Sequence, residues 1–360
     1  MRFVPGRRRV PRRVRNQSNP RRLKPEMWHP VPRPHGIGSP ARVLAALAPL
    51  TLALALGAVT PALAQGKRPT VLTTVAPLTN IAKNVGGPHI DLRGLVPGGT
   101  DSHTFEPRPS DIRLIMAADL IVLNGLLLEV PTEKLALANK GARARILKLG
   151  DGTIARKDWV FDRSFPRAEG KPNPHLWMNP IYAARYAELI RDALGALDPA
   201  NAVRYEERTR RYVSRLEALD RAIATATATI PPQNRKLLTY HDSFAYFAPR
   251  YGLRVIGAIE PSSFAEPLPR DVARVIRQLR QEGVPAVFGS EVFPSKALEQ
   301  IAREAGVKFV DTLRDDDLPG SPGSPEHSYL GMMLEDVRAM VTALGGKADA
   351  LGGIDPADIP

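Results

Sequence analysis

The 360 residues contain no cysteine. That excludes thiolate metal sites, disulfides, cysteine nucleophiles and lipid attachment through cysteine, so any transition-metal chemistry must rest on His, Asp or Glu. The phosphate-cradling and nucleophile-elbow signatures GxGxxG, GxxxxGK and GxSxG are also missing. Their absence removes the sequence grounds for a dinucleotide enzyme, an ATPase or a serine hydrolase of that type. Excess positive charge is scarce outside the N-terminus. The net charge is +13, but residues 1–42 carry eleven Arg and one Lys against Glu26 alone, which is +11 and leaves about +2 for everything after (13 − 11). A body this close to neutral gives no electrostatic case for nucleic acid, and no nucleic-acid partner is expected.

What the N-terminus does have is a leader. Residues 1–42 form a basic extension that fits a mis-assigned start, and residues 43–64 are uncharged and apolar, ending in Ala62-Leu63-Ala64. This is the h-region and small-x-small site of a cleaved signal peptide, with cleavage expected after Ala64. The rival reading is an uncleaved anchor, since the stretch is long enough to cross a bilayer; Pro49 and Pro61 favour cleavage. With no cysteine for lipidation, a free periplasmic protein is expected.

From Arg68 onward, short apolar runs alternate with helical periodicity, as in α/β proteins with parallel sheets. Strands are predicted at 70–74, 90–96, 120–123 and 145–149, with helices between them and at 181–197. From Pro199 to Thr229 there is neither Gly nor internal Pro. Tyr205, Thr209, Tyr212, Leu216, Leu219 and Ile223 recur there at helical spacing, predicting one amphipathic helix of about 45 Å. The alternation then restarts, with strands at 236–240, 253–259, 285–289 and 308–310. Helices are expected around Phe244 and Phe247 and at 270–281, 296–305 and 329–344. The expected architecture is therefore two α/β lobes, 67–197 and 235–345, each a parallel-type sheet flanked by helices. A long rigid helix over 199–229 would join them, and 346–360 would form a flexible tail.

Four polar residues stand out by position. His103 lies in the turn-rich stretch GTDSHTFEPRPSD, ahead of a helix for which Ser110 is a plausible N-cap. His175 lies in NPHLWMNP, where Trp177 could wall one side of the ring. His241 and Asp311 each directly follow a predicted strand. They are separated by 72, 66 and 70 residues, two in each lobe. Ligands in open α/β sheets bind beyond the carboxyl ends of the strands, the reason to single these residues out. Each histidine alone reads equally as a loop residue; it is the set that argues for a ligand. Three imidazoles and a carboxylate suit Zn²⁺ well and Mn²⁺ or Fe²⁺ less well, and four protein ligands close the shell, which favours carriage over catalysis. His89 and His327 read as surface residues, Glu106 as a turn acceptor, Asp242 and Glu291 as outer acceptors or caps, and Asp315–Asp317 as a solvated acidic run.

With those residues in view, the chain over Arg68–Leu344 resembles the zinc/manganese solute-binding proteins that feed ABC-type metal importers. The resemblance rests on HTFEPRPSD at His103, PHLW at His175, HDSFAYFAPRYGL at His241, FVDTL at Asp311 and the closing EHSYLGMM. It implies two lobes joined by a long helix, metal held in the cleft by His103, His175, His241 and Asp311, and delivery to an inner-membrane permease by a monomer. Histidine rather than glutamate at the third position implies zinc over manganese. Asn173 and Asn179 stand where the family commonly has aspartates, and the His-rich loop of many dedicated zinc receptors is missing after Gly125. The alternatives are a manganese or iron receptor of the same family and, in another class, an exported zinc hydrolase.

Overall fold

The computed structural model describes residues 67–259, 268–290 and 295–360. The expectations for the basic extension, the signal stretch 43–64 and Glu291 fall outside the described residues. The first half runs β1 (Thr70–Thr73), α1 (Ala76–Gly86), β2 (Asp91–Gly94), α2 (Asp111–Ala117), β3 (Leu120–Leu123), α3 (Val130–Asn139), β4 (Arg145–Lys148), α4 (Leu149–Thr153) and α5 (Pro180–Leu197). After α6 (Ala202–Ala228) come β5 (Lys236–Thr239), β6 (Arg254–Ala258), α7 (Pro269–Glu282), β7 (Ala286–Ser290), α8 (Lys296–Ala305), β8 (Lys308–Leu313) and α9 (Tyr329–Ala343).

The two sheets share one topology. Their orders are β2-β1-β3-β4 and β6-β5-β7-β8, and every pairing is parallel. In each, the chain leaves the first strand toward one edge and returns past it toward the other, opening a crevice at the carboxyl ends of the central strands. β3 is the apolar run that predicted it, and all four residues are buried, the pattern of a strand covered on both faces.

Helix α6 is the passage between the sheets. Tyr205, Thr209, Tyr212, Leu216, Leu219 and Ile223 are all buried, so the predicted stripe is the face it packs. At ~1.5 Å per residue it spans about 40 Å, and it packs against α1 and α5 of the first half and α9 of the second. Its apolar face belongs to one continuous core that includes Leu78 and Tyr186 from the first half and Phe247, Met333 and Val337 from the second. Smaller clusters fill the far faces of the two sheets. In the EHSYLGMM stretch, Ser328 caps α9 by accepting Gly331 N–H. Position 331 admits only glycine, because a Cβ there would lie 2.0 Å from the Glu326 carbonyl oxygen.

Three expectations differ from the structure. The segment around Phe244 and Phe247 forms single turns instead of a helix: Phe247 and Ala248 N–H both reach the Phe244 carbonyl, and Pro249 has no N–H with which to extend them. Ser110 makes no capping bond to α2; the Asp111 carboxylate instead accepts Arg108 N–H at 2.7 Å. Residues 346–360 are a docked strap, not a loose tail. Asp358 accepts from Asn80 and Asn84 and pairs with Lys83 at 2.7 Å. Arg208 holds the Ile359 and Pro360 carbonyls, Arg215 holds that of Ala357, and Ile359 is 5 % exposed. Strap and α9 thus meet α1 and α6 through polar side chains that no hydrophobic pattern would reveal.

Candidate metal centre

Three loops bring imidazoles to one point. The first is the turn after β2, where Asp101 accepts His103 N–H at 2.8 Å and the Thr104 hydroxyl at 2.6 Å, closing a rigid local ring around His103. The second is the proline-rich approach to α5, where Asn124, at the end of β3, donates to the Pro174 carbonyl at 3.0 Å and thereby fixes the backbone entering His175. Asn124 is itself held by the buried Glu129 carboxylate, which accepts its N–H and the Thr74 hydroxyl, both at 2.7 Å. The third follows β5, which delivers His241 one residue after Tyr240.

The Nε2 atoms of His103, His175 and His241 lie 3.1, 3.2 and 3.1 Å apart. His175 and His241 are buried, and His103 is half-buried at the mouth. A neutral imidazole nitrogen is a donor or an acceptor and never both, so three mutual contacts cannot all be hydrogen bonds. A shared cation resolves the conflict. Zinc–nitrogen bonds of about 2.0–2.1 Å in a tetrahedral site place the nitrogens about 3.3–3.4 Å apart, close to this triangle. Electrostatics agree. Burial, with the charge of His241, holds His103 well below the usual imidazole range; burial, with the charges of His241 and His103, does the same to His175, and burial lowers His241. The rings are therefore neutral near pH 7, as ligands must be. Trp177 and Phe165 wall the centre, with ring centroids 5.0 and 5.9 Å from His175.

Asp311 does not join them. It is exposed on β8 and lines a hollow with Lys308, Glu335 and Arg338 on the side of α9. The strand, expected to stop at Val310, continues to Leu313, and the pairing slips so that Phe288 faces Val310 but Ser290 faces Leu313. The extra residue is a bulge at Asp311–Thr312, which moves the strand's carboxyl end downstream. What arrives at the cleft is the run Asp315–Asp317, read from sequence as solvated. Asp315 and Asp316 are 4 % and 6 % exposed. Asp316 accepts Ser102 N–H at 2.9 Å, one residue from His103, and Asp317 accepts Gly99 N–H at 2.9 Å, so the run bridges the two halves. Burial and the charge of Asp315 push Asp316 up to about 7. Its Oδ1 is buried without a hydrogen-bond partner, and of the charges acting on His241 its own is the strongest. A strand extended through the β-branched Thr312 and the apolar Leu313 was the signal that would have pointed to this run.

The two asparagines have separate roles. Asn173 Oδ1 lies 2.8 Å from His175 Nδ1. Asn179 caps α5, accepting Ile181 N–H at 3.1 Å, and donates to the Tyr246 carbonyl. Asp242, next to His241, is raised to about 7 by burial and the charge of Asp162.

Residues 71–343 match the family described as zinc-uptake complex component A, periplasmic. The chain is 29% identical over 275 residues to the iron-binding protein YfeA of Yersinia pestis, covering 76% of this chain and 86% of that protein. It is 30% identical over 268 residues to the metal ABC transporter substrate-binding lipoprotein FimA of Streptococcus parasanguinis, covering 73% and 85%. Among solved structures, the periplasmic zinc binding protein TroA of Treponema pallidum superposes with a TM-score of 0.70 at 26% identity, over 77% of this chain and 99% of that one. A Mn-bound periplasmic metal binding protein from Candidatus Liberibacter asiaticus gives 0.68 at 27% identity, with the same coverage. Fold, repeated sheet order and the match along nearly all of the described chain agree, and the protein belongs to the zinc-uptake component A family of ABC-importer substrate-binding proteins, which are transport receptors and not enzymes.

Proposed function

We propose that this chain is an exported receptor that captures a divalent transition metal, zinc, in the cleft between its two halves and hands it to the permease of an ABC importer. The observation that carries the reading is the triangle of three Nε2 atoms within 3.2 Å of one another. The ligands are His103, His175 and His241; the candidate for a fourth, in place of the exposed Asp311, is Asp316, which is bound to Ser102 beside His103 and is the strongest charge acting on His241. Three nitrogens and one oxygen form a borderline donor set that suits zinc, and a closed shell leaves no position for an activated water. The relatives are named for iron, manganese and zinc, so the donor set of this chain, and not the family, argues for zinc.

The test is a competition. Metal-free protein is equilibrated with equimolar Zn²⁺ and Mn²⁺, desalted and assayed by elemental analysis. One zinc per chain is expected. Bound manganese in excess of zinc replaces the zinc receptor with a manganese receptor, and no stoichiometric metal overturns the transport reading.

A further inference from the structure

A metal-bound imidazole is oriented and made more basic by whatever accepts the proton on its other nitrogen. For His175 that acceptor is a neutral amide, and the surroundings of this amide explain why. Asn173 is fully buried. Its Oδ1 accepts the backbone N–H of His175 at 3.0 Å. Its Nδ2 donates to the Asp162 carboxylate at 2.8 Å and to the Asp242 carbonyl at 2.6 Å. A backbone N–H can only donate and a backbone carbonyl can only accept, so the amide orientation is settled by its neighbours. His175 Nδ1, facing Oδ1, must then carry the proton, and Nε2 presents its lone pair to the centre.

Asp162 is bound as an acceptor on both oxygens, Oδ2 from Asn173 and Oδ1 from Phe165 N–H at 2.9 Å. The side chain at 173 must therefore accept on the His175 side and donate on the Asp162 side. Only an amide does both. An aspartate there would set its second oxygen against the Asp162 carboxylate and the Asp242 carbonyl.

We infer that Asp162, acting through Asn173, is a positioning residue for metal capture: the relay Asp162–Asn173–His175 locks the ring tautomer and supplies a carboxylate's charge to the ligand from one side chain further out. The inference rests on the metal-receptor reading. An imidazole backed by a polarised amide donates less strongly than one backed directly by a carboxylate. The arrangement trades grip for release, which suits a protein that must surrender its cargo.

Four proteins test this: wild type, Asp162→Asn, Asn173→Asp and the exchanged pair D162N/N173D. Each is titrated with Zn²⁺ against a chromophoric chelator, and each metal-free form is examined by ¹⁵N NMR of the histidine rings. Asp162→Asn keeps a neutral acceptor for Asn173 and removes the charge, which also acts on Asp242 and His241; zinc affinity should fall about ten-fold, and the ring signals of His175 separate the relay from these direct effects. Asn173→Asp alone should gain nothing over wild type, because two carboxylates then face each other. The exchanged pair should bind more tightly than wild type, with a slower zinc off-rate and a further-downfield Nδ1 proton on His175. Affinity of Asp162→Asn within two-fold of wild type overturns the inference, as does an Asn173→Asp protein that binds as tightly as the exchanged pair. Failure of the parent reading is a separate result, seen as absence of stoichiometric zinc in the wild type, whereas the metal-free ring signals still report whether the relay sets the tautomer.

Discussion

The indole N–H of Trp177 donates to the Asp315 carbonyl at 2.8 Å, a buried bond between residues 138 positions apart. It joins the turn that carries His175 to the turn that carries Asp316. The Trp177 carbonyl in turn accepts the Tyr329 hydroxyl at 2.6 Å. One residue thus walls an imidazole, anchors the acidic run and receives a bond from the first residue of α9.

Trp177→Phe keeps an aromatic wall but leaves the Asp315 carbonyl without its donor. An unsatisfied buried carbonyl costs about 1–3 kcal/mol. Urea denaturation should show that loss, and zinc titration should show weaker binding because the Asp316 turn is no longer pinned. Unchanged zinc affinity with lowered stability would restrict the bond to a structural role.

Asp311→Asn and Asp316→Asn separate the ligand expected from sequence from the one proposed here. Asp311 is exposed, and its change should leave zinc affinity within two-fold. Asp316→Asn should weaken zinc by about a hundred-fold, on the order of 3 kcal/mol. Calorimetry on both variants decides between the two positions, and the reverse ranking would restore Asp311.

Zinc binding should release about half a proton per metal at pH 7, approaching one below it and none above it, and the proton should come from a carboxyl group. His103 and His175, held well below 6.5 by burial and neighbouring charge, are already neutral. Asp316, raised to about 7, must lose its proton to ligate. Metal binds the deprotonated form, so affinity holds above pH 7 and falls as pH drops below it, about ten-fold per unit. Calorimetry in buffers of different ionisation enthalpy counts the proton. In Asp316→Asn the count should fall to near zero between pH 6.5 and 8.

Truncation after Gly353 should destabilise the fold. It removes the strap carbonyls that Arg208 and Arg215 hold, removes the Asp358 acceptor from Asn80 and Asn84, and exposes the face that Ile359 covers. A loss on the order of 2–4 kcal/mol is expected from several part-buried hydrogen bonds and one apolar side chain. Equilibrium unfolding of the truncated and complete chains checks it, and equal midpoints would show that the strap is merely laid on the surface.

The parts readable in the sequence are those set by apolar periodicity. The stripe from Tyr205 to Ile223 is continuous, uninterrupted by Gly or Pro, and long enough for a single helical period to dominate. The run Leu120–Leu123 has the length and composition of a covered strand. The histidines were legible because strands and proline-rich turns announce the carboxyl edge of a sheet. What escaped was held by polar bonds between distant segments. Asp315–Asp317 looks like a hydrated loop until Ser102 and Gly99 appear as donors. The strap has the composition of a free end until Arg208, Arg215, Asn80 and Asn84 close on it. Asn173 gives no sign that it faces Asp162. Hydrophobic pattern reports which face turns inward; it carries no information on which amide meets which carboxylate.

The bulge in β8 has a consequence for how functional labels travel between relatives. Location along a polypeptide is counted in residues, whereas location at the rim of a sheet is counted in ladder bonds, and one inserted residue uncouples the two counts. Here the insertion leaves Asp311 and Thr312 exposed, while a downstream aspartate, Asp316, is buried beside Ser102. In any cousin with the same slip, a position copied letter for letter and the position reached at the rim would be different side chains.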